Sequence, residues 1–372
     1  MTQTVVILGG SYGGLHVAHA LLKQKSDIKV VLVSKSSHFY WNMASVRAIV
    51  PGTIPDEQLS QPLSVALERY PKEKYEIIIG AVGKVDPASK TVLISVPGSD
   101  RSVAYDQLVI ATGARSNPTG PPVPWKHLDS HEETVSSLEN VRKQVQAAQS
   151  IIVAGAGATG IELAGELAYE FGKTKEITLL CGGQSLLSGD SVGPSAKSAL
   201  QKLNVKIQLG ARVAGATELP DGKTELSLEN GETMTTDLYL PTIGMLPNSE
   251  MLDATYLSEK GYVVVDASYR VKGLEKDGVW AIGDVVSKPR AGYLITQKQA
   301  AGVAKNILLT LQGKQPTNVK LMLVDILACA VGRSSGAGRI GFVKMPGTMV
   351  WLAKGRTLGI QQLPGYIDGS VA

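Results

Sequence analysis

A glycine-rich turn that follows an apolar strand occurs twice in this chain, and it constrains the fold more than any other feature. The segment VVILGGSYGG at 5–14 returns in altered form as IIVAGAGATG at 151–160. Each copy leads into a stretch with helical apolar periodicity and then into a second apolar strand, at 28–33 and at 177–181. The sequence therefore predicts two βαβ units of about thirty residues, each with parallel strands.

The glycines of both turns indicate a binding site for the diphosphate of a dinucleotide. A diphosphate must lie almost against the backbone at the start of the helix, where free N–H groups and the helix dipole favour negative charge. The second copy is a complete G-x-G-x-x-G pattern, whereas Ser11 replaces the middle glycine of the first. A turn kept only for tight helix–strand packing is the competing interpretation, but two copies in the same context favour ligand binding. The residues assigned to these sites are Gly9, Gly10, Ser11, Tyr12, Gly13, Gly14, Gly155, Gly157, Ala158, Thr159 and Gly160.

Length, cysteines and histidines limit the other possibilities. A chain of 372 residues suits two domains and an appendage. Its two cysteines, Cys181 and Cys329, are too far apart for a Cys-x-x-Cys motif, which indicates a reducing compartment, and we expect a cytoplasmic protein. Without a signal-peptide pattern or an apolar run of about 18 residues, we expect no membrane span. The five histidines lack metal-ligand spacing, so no metal is expected, and His16 and His19 are interpreted as structural.

Three further motifs accompany the two turns. YDQLVIATGA lies at 105–114, TIGMLPN at 242–248 and VWAIGDV at 279–285. With this ordered series the chain resembles the two-dinucleotide-binding-domain flavoproteins related to glutathione reductase. The resemblance is closest to the apoptosis-inducing-factor-like and ferroptosis-suppressor-like branch of NAD(P)H:quinone oxidoreductases, and it covers nearly the whole chain.

The resemblance implies an α/β fold with two Rossmann-like dinucleotide-binding domains, in which the NAD(P)H domain is inserted in the FAD domain. The FAD domain is expected at 1–117 and 249–313 and the NAD(P)H domain at 118–248, with a small α+β cap or interface segment at 314–372. FAD is then the bound cofactor, and NADH or NADPH is the electron donor.

The same resemblance implies roles for individual residues. The turn at 9–14 would cradle the FAD pyrophosphate, Arg47 would bind near it, and Val82 would contact the adenine. Asp284 would accept a hydrogen bond from the ribityl chain. Taken alone, Arg47 would be a solvated cation and Asp284 a turn former at a strand end. Further cofactor contacts are expected from Ser34, Lys35, Ala111, Thr112, Gly113, Gly244, Gly283 and Gln297.

Glu162 and Lys298 are the two candidate catalytic residues. Glu162 matches the glutamate of the family's GxGxxGxE stretch, near which nicotinamide and flavin meet, but a lysine partner is not evident at 41–50. Ordinary solvation on a helix surface is the alternative for Glu162. Thr296 and Gln299 match a T-x-x-Q capping box. The helix they begin would stabilise negative charge on the reduced flavin through its dipole, or would simply be a well-capped structural helix.

The chain departs from the family at the end of the second strand of each unit, where an acidic residue normally binds the adenosine ribose. Ser34 and Lys35 stand there in the first copy, and Cys181, Gly182 and Gly183 in the second. No arginine for a 2′-phosphate replaces the acid, so the choice between NADH and NADPH stays open.

The helix that carries a redox cysteine pair in disulfide reductases of this superfamily corresponds to WNMASVRA at 41–48, which contains no cysteine. Electrons are therefore expected to pass directly from the flavin to a small acceptor such as a quinone, another small oxidant or oxygen. This excludes thiol–disulfide exchange as the main activity. A dedicated natural-product substrate and a non-enzymatic redox sensor that changes its association state are the two alternatives.

The C-terminal segment is basic and partly apolar. Between Lys314 and Arg356 seven basic residues accompany one acid, Asp325. Because no nucleic-acid-binding module is recognisable, we expect no nucleic-acid partner and consider an anionic membrane surface or the dinucleotide phosphates instead. The apolar stretches at 321–332 and 349–360 would complete the core as a helix–strand cap, cover the flavin, form a homodimer contact or touch a membrane.

Overall fold

The computed structural model describes residues 2–24, 27–117, 122–286, 291–322 and 324–372. The strands of these ranges follow in chain order as β1 (Gln3–Leu8), β2 (Ile28–Ser34), β3 (His38–Tyr40), β4 (Ser60–Pro62), β5 (Tyr75–Ile79), β6 (Ala81–Asp86), β7 (Thr91–Val96), β8 (Ser99–Ala104), β9 (Gln107–Ile110), β10 (Ala114–Ser116), β11 (Ser150–Ala154), β12 (Glu176–Cys181), β13 (Lys206–Leu209), β14 (Val213–Glu218), β15 (Thr224–Leu228), β16 (Thr233–Thr236), β17 (Leu238–Pro241), β18 (Met245–Pro247), β19 (Val279–Ala281), β20 (Ile326–Val331), β21 (Ser335–Ile340) and β22 (Val343–Met345). The α-helices are α1 (Tyr12–Leu22), α2 (Ser45–Ala48), α3 (Asp56–Leu59), α4 (Leu63–Ala66), α5 (His131–Ala147), α6 (Ala158–Phe171), α7 (Gly193–Lys202), α8 (Tyr293–Leu311), α9 (Gly347–Val350) and α10 (Leu363–Ile367). A π-helical turn at Trp351–Gly355 continues α9.

Apolar runs form the first parallel sheet, whose strand order is β19-β9-β1-β2-β5. β1, β2 and β9 are buried along most of their length, as expected for parallel strands that helices cover on both faces. β19 comes from the chain that follows the second sheet, so this first domain is discontinuous in sequence. Because the strands are parallel, their carboxyl ends and the turns that follow them meet at one edge.

The second parallel sheet has the order β13-β12-β11-β17. The chain reaches it through β10 and returns through β18, and these two strands pair antiparallel with Ala114 opposite Pro247. The predicted fold class, with one dinucleotide-binding domain inserted in another, is therefore confirmed. The boundaries after 117, 248 and 313 stay a prediction, and the first of them falls at 118–121, outside the described residues.

The C-terminal segment adds an antiparallel sheet of order β20-β21-β22 and the helices that follow it, which confirms its α+β character. It packs on both domains. A Cβ placed on Gly165 of α6 would lie 2.7 Å from the Gly332 nitrogen. Tyr366 of α10 stacks on Phe39 and contacts Tyr12 edge-on, with 5.3 and 5.5 Å between ring centroids. No helix in the described ranges is long and apolar enough to cross a bilayer.

Candidate functional site

The first glycine-rich turn joins β1 to α1 and leaves no room for side chains at its outer glycines. Gly9 has a φ of +113°, a conformation that L side chains rarely adopt. A Cβ on Gly14 would lie 1.8 Å from the Gly9 carbonyl oxygen. A Cβ on Gly9 would lie 2.3 Å from the Ala111 carbonyl oxygen. The turn, the helix start and the end of β9 therefore pack backbone to backbone.

The second turn, between β11 and α6, repeats this geometry. Gly155 has a φ of +108°, and a Cβ on Gly160 would lie 1.8 Å from the Gly155 carbonyl oxygen. The residues that precede the two helices, Ser11 and Gly157, have extended backbones. The Ser11 side chain makes no capping hydrogen bond within the described chain, and Gly157 has no side chain that could make one. The N–H groups of the first helical turn are thus available to a ligand in both copies.

The middle position of each turn is where the two copies differ, and a serine is compatible with it. Ser11 has a φ of −110° and a ψ of −157°, an extended conformation that any residue adopts. A Cβ placed on Gly157 meets no atom of the described residues within 4 Å. The middle glycine is therefore not required by packing, and the space in front of it suits the close approach of a diphosphate. Both turns fit a dinucleotide.

The carboxyl ends of β9 and β19 bring further predicted residues to the first turn. Ala111 lies against this turn, and the Thr112 hydroxyl donates to the Asn248 carbonyl oxygen at 2.6 Å. Gly113 and Gly283 have positive φ values of +68° and +80°. The structure thus places these residues around the first turn, and their contacts with FAD stay a prediction.

Asp284 follows β19 and is held by a lysine from the start of the inserted domain. Its carboxylate lies 2.6 Å from the Lys126 ammonium, and both side chains are largely covered. The preceding Gly283 donates its N–H to Oε1 of Gln299 on α8 at 2.7 Å. Two contacts therefore fix the turn that carries Asp284. A hydrogen bond from this carboxylate to the ribityl chain stays a prediction.

The predicted capping box at Thr296 and Gln299 is wrong. α8 begins at Tyr293, so both residues lie inside the helix and are buried. Gln299 accepts from Gly283, as described, and its amide donates to the Tyr269 hydroxyl at 3.1 Å. Gln299, which the sequence pattern assigned to the helix start, thus stabilises the neighbouring loop at Gly283.

The adenosine end of the first site contains a hydroxyl and a surface ion pair. The Ser34 hydroxyl donates to the Ser36 carbonyl oxygen at 2.8 Å, and Lys35 pairs with Asp129 at 2.6 Å. Asp129 lies between the two sheets in sequence, so this pair connects the start of the inserted domain to the end of β2.

The corresponding end of the second site contains an arginine that the sequence analysis missed. A Cβ on Gly182 would lie 3.5 Å from Nε of Arg212, which follows β13. Arg212 is otherwise exposed and pairs with Glu229 at 3.4 Å. The Arg212 guanidinium therefore lies beside the position at which Rossmann folds bind the adenosine ribose. Local sequence gave no signal of it, because Arg212 comes from a different strand end.

Arg47 is buried and bonded to protein groups. Its guanidinium donates to both carboxylate oxygens of Glu166 on α6, at 2.6 and 3.0 Å. It also donates to the carbonyl oxygens of Gly355 and Arg356, at 2.6 and 2.9 Å. The interpretation of Arg47 as a solvated cation is therefore wrong. The structure shows it bridging α2, α6 and the C-terminal segment, and a contact with the FAD pyrophosphate stays a prediction.

Glu162, in the first turns of α6, has a lysine partner from the C-terminal segment. Its Oε1 lies 2.5 Å from the Lys354 ammonium and accepts from the Ala330 N–H at 3.0 Å. Glu162 is 6% exposed, so the solvated-helix alternative is wrong, while the Lys354 side chain keeps 26% exposure. An acid and a cation thus meet beside the second turn, where β20 crosses the start of α6.

This ion pair could not be found from local sequence, because its two residues are 192 positions apart. The one signal was the excess of basic residues at 314–356. Chemically, a buried carboxylate that holds a partly exposed ammonium can present that ammonium to a carbonyl or anionic oxygen of a bound ring.

Cys329 of β20 adjoins the ion pair. Its Sγ lies 3.6 Å from the Ala158 carbonyl oxygen. Burial, and then the charge of Glu162, raise the pKa of the Cys329 thiol well above its usual value, while Lys354 acts in the opposite direction. A thiol of this kind is protonated and unreactive. Cys181 is likewise a buried free thiol.

Lys298 is exposed on α8, and the cation that Glu162 contacts is Lys354 instead. Burial, followed by the charges of Lys23 and Lys298, lowers the pKa of His16 to about 4. The positive charge of Lys298 thus acts on α1, and a catalytic role for it stays a prediction.

The other predicted cofactor residues lie on α8, in β6 and between β17 and β18. Gln297 donates to the Tyr293 hydroxyl at 2.9 Å, and Val82 is half-buried in β6. Gly244 has a φ of +62° and lies near the Asn117 side chain. Among the residues that the structure describes, no group of three or more His, Cys, Asp or Glu side chains could hold a metal ion.

His19 has a structural environment. Its Nε2 donates to the Tyr366 carbonyl oxygen at 2.8 Å, which leaves Nδ1 to accept from the Tyr70 hydroxyl at 3.0 Å. The buried imidazole therefore connects α1 to α10.

Comparison with known proteins yields one family and several relatives. The pyridine nucleotide-disulphide oxidoreductase family matches residues 3–305. Oxidoreductase ptaL of Pestalotiopsis fici is 39% identical over 374 aligned residues, which cover 99% of this chain and 99% of that protein. Ferroptosis suppressor protein 1 of Homo sapiens is 26% identical, with 95% of this chain and 93% of that protein covered.

Among solved structures, the sulfide:quinone oxidoreductase of Aquifex aeolicus shares the fold. The two structures superpose with a TM-score of 0.80 at 17% identity, which covers 99% of this chain and 92% of that chain.

Proposed function

The chain belongs to the pyridine nucleotide-disulphide oxidoreductase family, and from that membership we propose that it passes electrons from NAD(P)H through FAD to a quinone-like or other small acceptor without a cysteine relay. FAD and a nicotinamide nucleotide are the cofactors of this oxidoreductase. We assign the FAD diphosphate to the turn at 9–14 and that of NADH or NADPH to the turn at 155–160. When bound, FAD supplies two-electron redox chemistry by taking up a hydride and releasing electrons to a second substrate.

The observation that carries the proposal is the Glu162–Lys354 ion pair beside the second turn. The buried carboxylate and the Ala328 carbonyl oxygen, 3.2 Å from Nζ, hold the Lys354 ammonium in place while 26% of its side chain stays exposed, and an ammonium held in this way suits a charge-assisted hydrogen bond to a carbonyl oxygen. A quinone offers two such oxygens. The sulfide:quinone oxidoreductase of Aquifex aeolicus, which shares the fold, is named for an acceptor of this class. The residues at 41–48 supply Arg47 to the domain junction and contain no cysteine.

The test uses purified protein with bound flavin. We expect NADH or NADPH to bleach the flavin absorption without oxygen, and a short-chain quinone to restore it. Glu162→Gln and Lys354→Met should each slow turnover about tenfold or more, since a charge-assisted hydrogen bond contributes about 1.5–3 kcal/mol. Lys320→Met, an exposed change in the same segment, is the control and should turn over like the wild type.

Other results would redirect the proposal. Bleaching without reoxidation by any quinone removes the quinone acceptor and favours a dedicated small substrate. Negligible turnover combined with a change in association state on reduction favours a redox sensor. A folded protein that is colourless and takes up no flavin contradicts the whole proposal.

We also propose that the C-terminal segment touches an anionic membrane surface. Lys344 and Arg356 are exposed there and complement the charge of anionic lipid. Large apolar side chains that are more than half exposed accompany them, namely Phe342, Val343, Met349 and Leu352. These four side chains, which we call the apolar tip, suit insertion to the depth of the lipid headgroups together with the cations of the same segment.

Sedimentation with vesicles tests this membrane contact. We expect binding to vesicles with phosphatidylserine, weaker binding to neutral vesicles, and loss of binding in Phe342→Asp. If Phe342→Asp instead abolishes a concentration-dependent dimer and vesicle binding is absent from the wild type, the apolar tip is a homodimer contact.

A further inference from the structure

We infer that Arg47 and Glu166 are positioning residues that hold the Lys354 ammonium against Glu162. The bonds of Arg47 to Glu166 and to the two backbone carbonyls after Lys354 form what we call the Arg47 clamp. The inference deepens the proposed function, because it rests on a role for the Glu162–Lys354 pair at that same site.

The clamp holds the turn that carries Lys354. Arg47 donates to the carbonyl oxygens of Gly355 and Arg356, the two residues that directly follow Lys354. This turn is π-helical, and the Arg356 N–H bonds to the Trp351 carbonyl oxygen at 2.7 Å. Its hydrogen bonds therefore do not follow the α-helical pattern. The rigid guanidinium fork fixes the end of a turn whose own backbone bonding is irregular.

α6 supplies the acceptors for both cations. Glu162 and Glu166 are four residues apart, which places them one turn apart on the same side of the helix. Glu162 accepts from the Lys354 ammonium, and Glu166 accepts from Nε and Nη2 of Arg47 in bidentate geometry. The ammonium and the backbone that carries it are thus both attached to one helix.

Burial makes this arrangement stiff. The side chains of Arg47 and Glu166 are 7% and 1% exposed, so water cannot readily replace either partner. A lysine side chain alone is flexible and would not fix its own position. Arg333 also contacts Glu166, at 3.2 Å, but it is 27% exposed and its other ion-pair partner is Glu170 on the surface of α6. Arg333 therefore offers a matched control.

The test measures the position of Lys354 independently of turnover. In the flavin-bound protein, Lys354 and the exposed Lys344 are acetylated in competition with acetic anhydride and quantified by mass spectrometry. We expect Lys354 to react about tenfold more slowly than Lys344 in the wild type, because its ammonium is ion-paired. Arg47→Lys and Glu166→Gln should each raise the Lys354 rate several-fold, and Arg333→Gln should leave it unchanged. Flavin content and melting temperature verify that each variant is folded.

Kinetics provide the second readout. Arg47→Lys should lower kcat with little change in the KM for the nucleotide. Added to Lys354→Met it should cause no further loss, because a positioning residue acts only through its target. If Arg47→Lys does not fold, Glu166→Gln decides by the same two measurements.

The outcomes separate the inference from the proposed function. Lys354 labelling that stays at the wild-type rate in the clamp variants overturns the inference, as does an additive loss in the double variant. Faster labelling in the clamp variants, together with wild-type turnover of Lys354→Met, keeps the clamp and removes the proposed role of the ion pair.

Discussion

Replacing Gly157 by alanine should weaken nicotinamide nucleotide binding without destabilising the fold. A Cβ at this position meets no atom of the described chain within 4 Å, and the φ of −76° is open to alanine. The added methyl group should therefore cause no steric clash, and the change should affect folding only through the conformational preferences of the backbone. Alanine is a poorer N-cap than glycine, but it also restricts the unfolded chain, and these effects oppose each other. The free energy of unfolding should stay within about 0.5 kcal/mol of the wild type.

The effect of this change on binding should be much larger. The added methyl group stands where a diphosphate must approach the backbone at the start of α6. Losing one charge-assisted hydrogen bond to the diphosphate removes about 1.5–3 kcal/mol of binding free energy. At 1.4 kcal/mol for each factor of ten, the KM for the nucleotide should rise about 10- to 100-fold. FAD content should stay the same, because the turn at 9–14 is untouched.

Gly155→Ala is the matched comparison. Gly155 has a φ of +108°, and its Cβ would lie 2.8 Å from the Thr242 hydroxyl, so alanine should destabilise the fold by about 1–3 kcal/mol. The assay measures thermal unfolding, flavin absorption and the KM for NADH and NADPH in all three proteins. A wild-type KM in Gly157→Ala, or a loss of stability as large as that of Gly155→Ala, would refute the reasoning.

Exchanging Arg212 for glutamate should lower kcat/KM for NADPH relative to NADH about tenfold, because a carboxylate beside Gly182 repels a 2′-phosphate that a guanidinium attracts; an unchanged ratio contradicts this. Burial lowers the pKa of His19 from 6.5 to about 4, so the unfolded chain binds the proton first and the folded state loses stability as the pH falls from 6.5 to about 4. Urea unfolding should show this slope, and His19→Gln should reduce it; an identical slope in the variant rules out His19 as a source. Because burial raises the pKa of Cys329, iodoacetamide should alkylate this thiol only after unfolding, as mass spectrometry would show, and rapid alkylation of the native protein would contradict the assignment.

The two turns could be predicted from the sequence because the contacts that define them are local. A Cβ on Gly14 collides with Gly9, and a Cβ on Gly160 collides with Gly155, so each glycine is required by a residue five positions away. The apolar runs of the parallel strands are equally local, since burial on both faces demands them. The spacing of glycines and apolar residues in the sequence therefore suffices to predict the geometry of both turns.

The Glu162–Lys354 ion pair and the T-x-x-Q pattern are two features that local sequence could not predict correctly. Lys354 reaches Glu162 only because β20 and the turn after it fold back on α6, and nothing near either residue indicates this. The T-x-x-Q pattern can occur inside a helix as well as at its start, so the pattern alone does not locate the first residue of the helix. Only the tertiary bond between Gln299 and the Gly283 N–H decided which of the two applies.

The C-terminal segment is part of the proposed site, because its contacts converge on one turn. The Trp41 indole N–H donates to the Leu358 carbonyl oxygen at 2.9 Å, which ties the segment to the first domain just before α2. Arg47 donates to the carbonyl oxygens of Gly355 and Arg356, three and two residues before Leu358, and through Glu166 it ties this part of the segment to α6 of the second domain. Any movement of one domain relative to the other must therefore strain or break a contact with this turn. Since the turn carries Lys354, the alignment of the two dinucleotide domains and the position of the ammonium are mechanically linked.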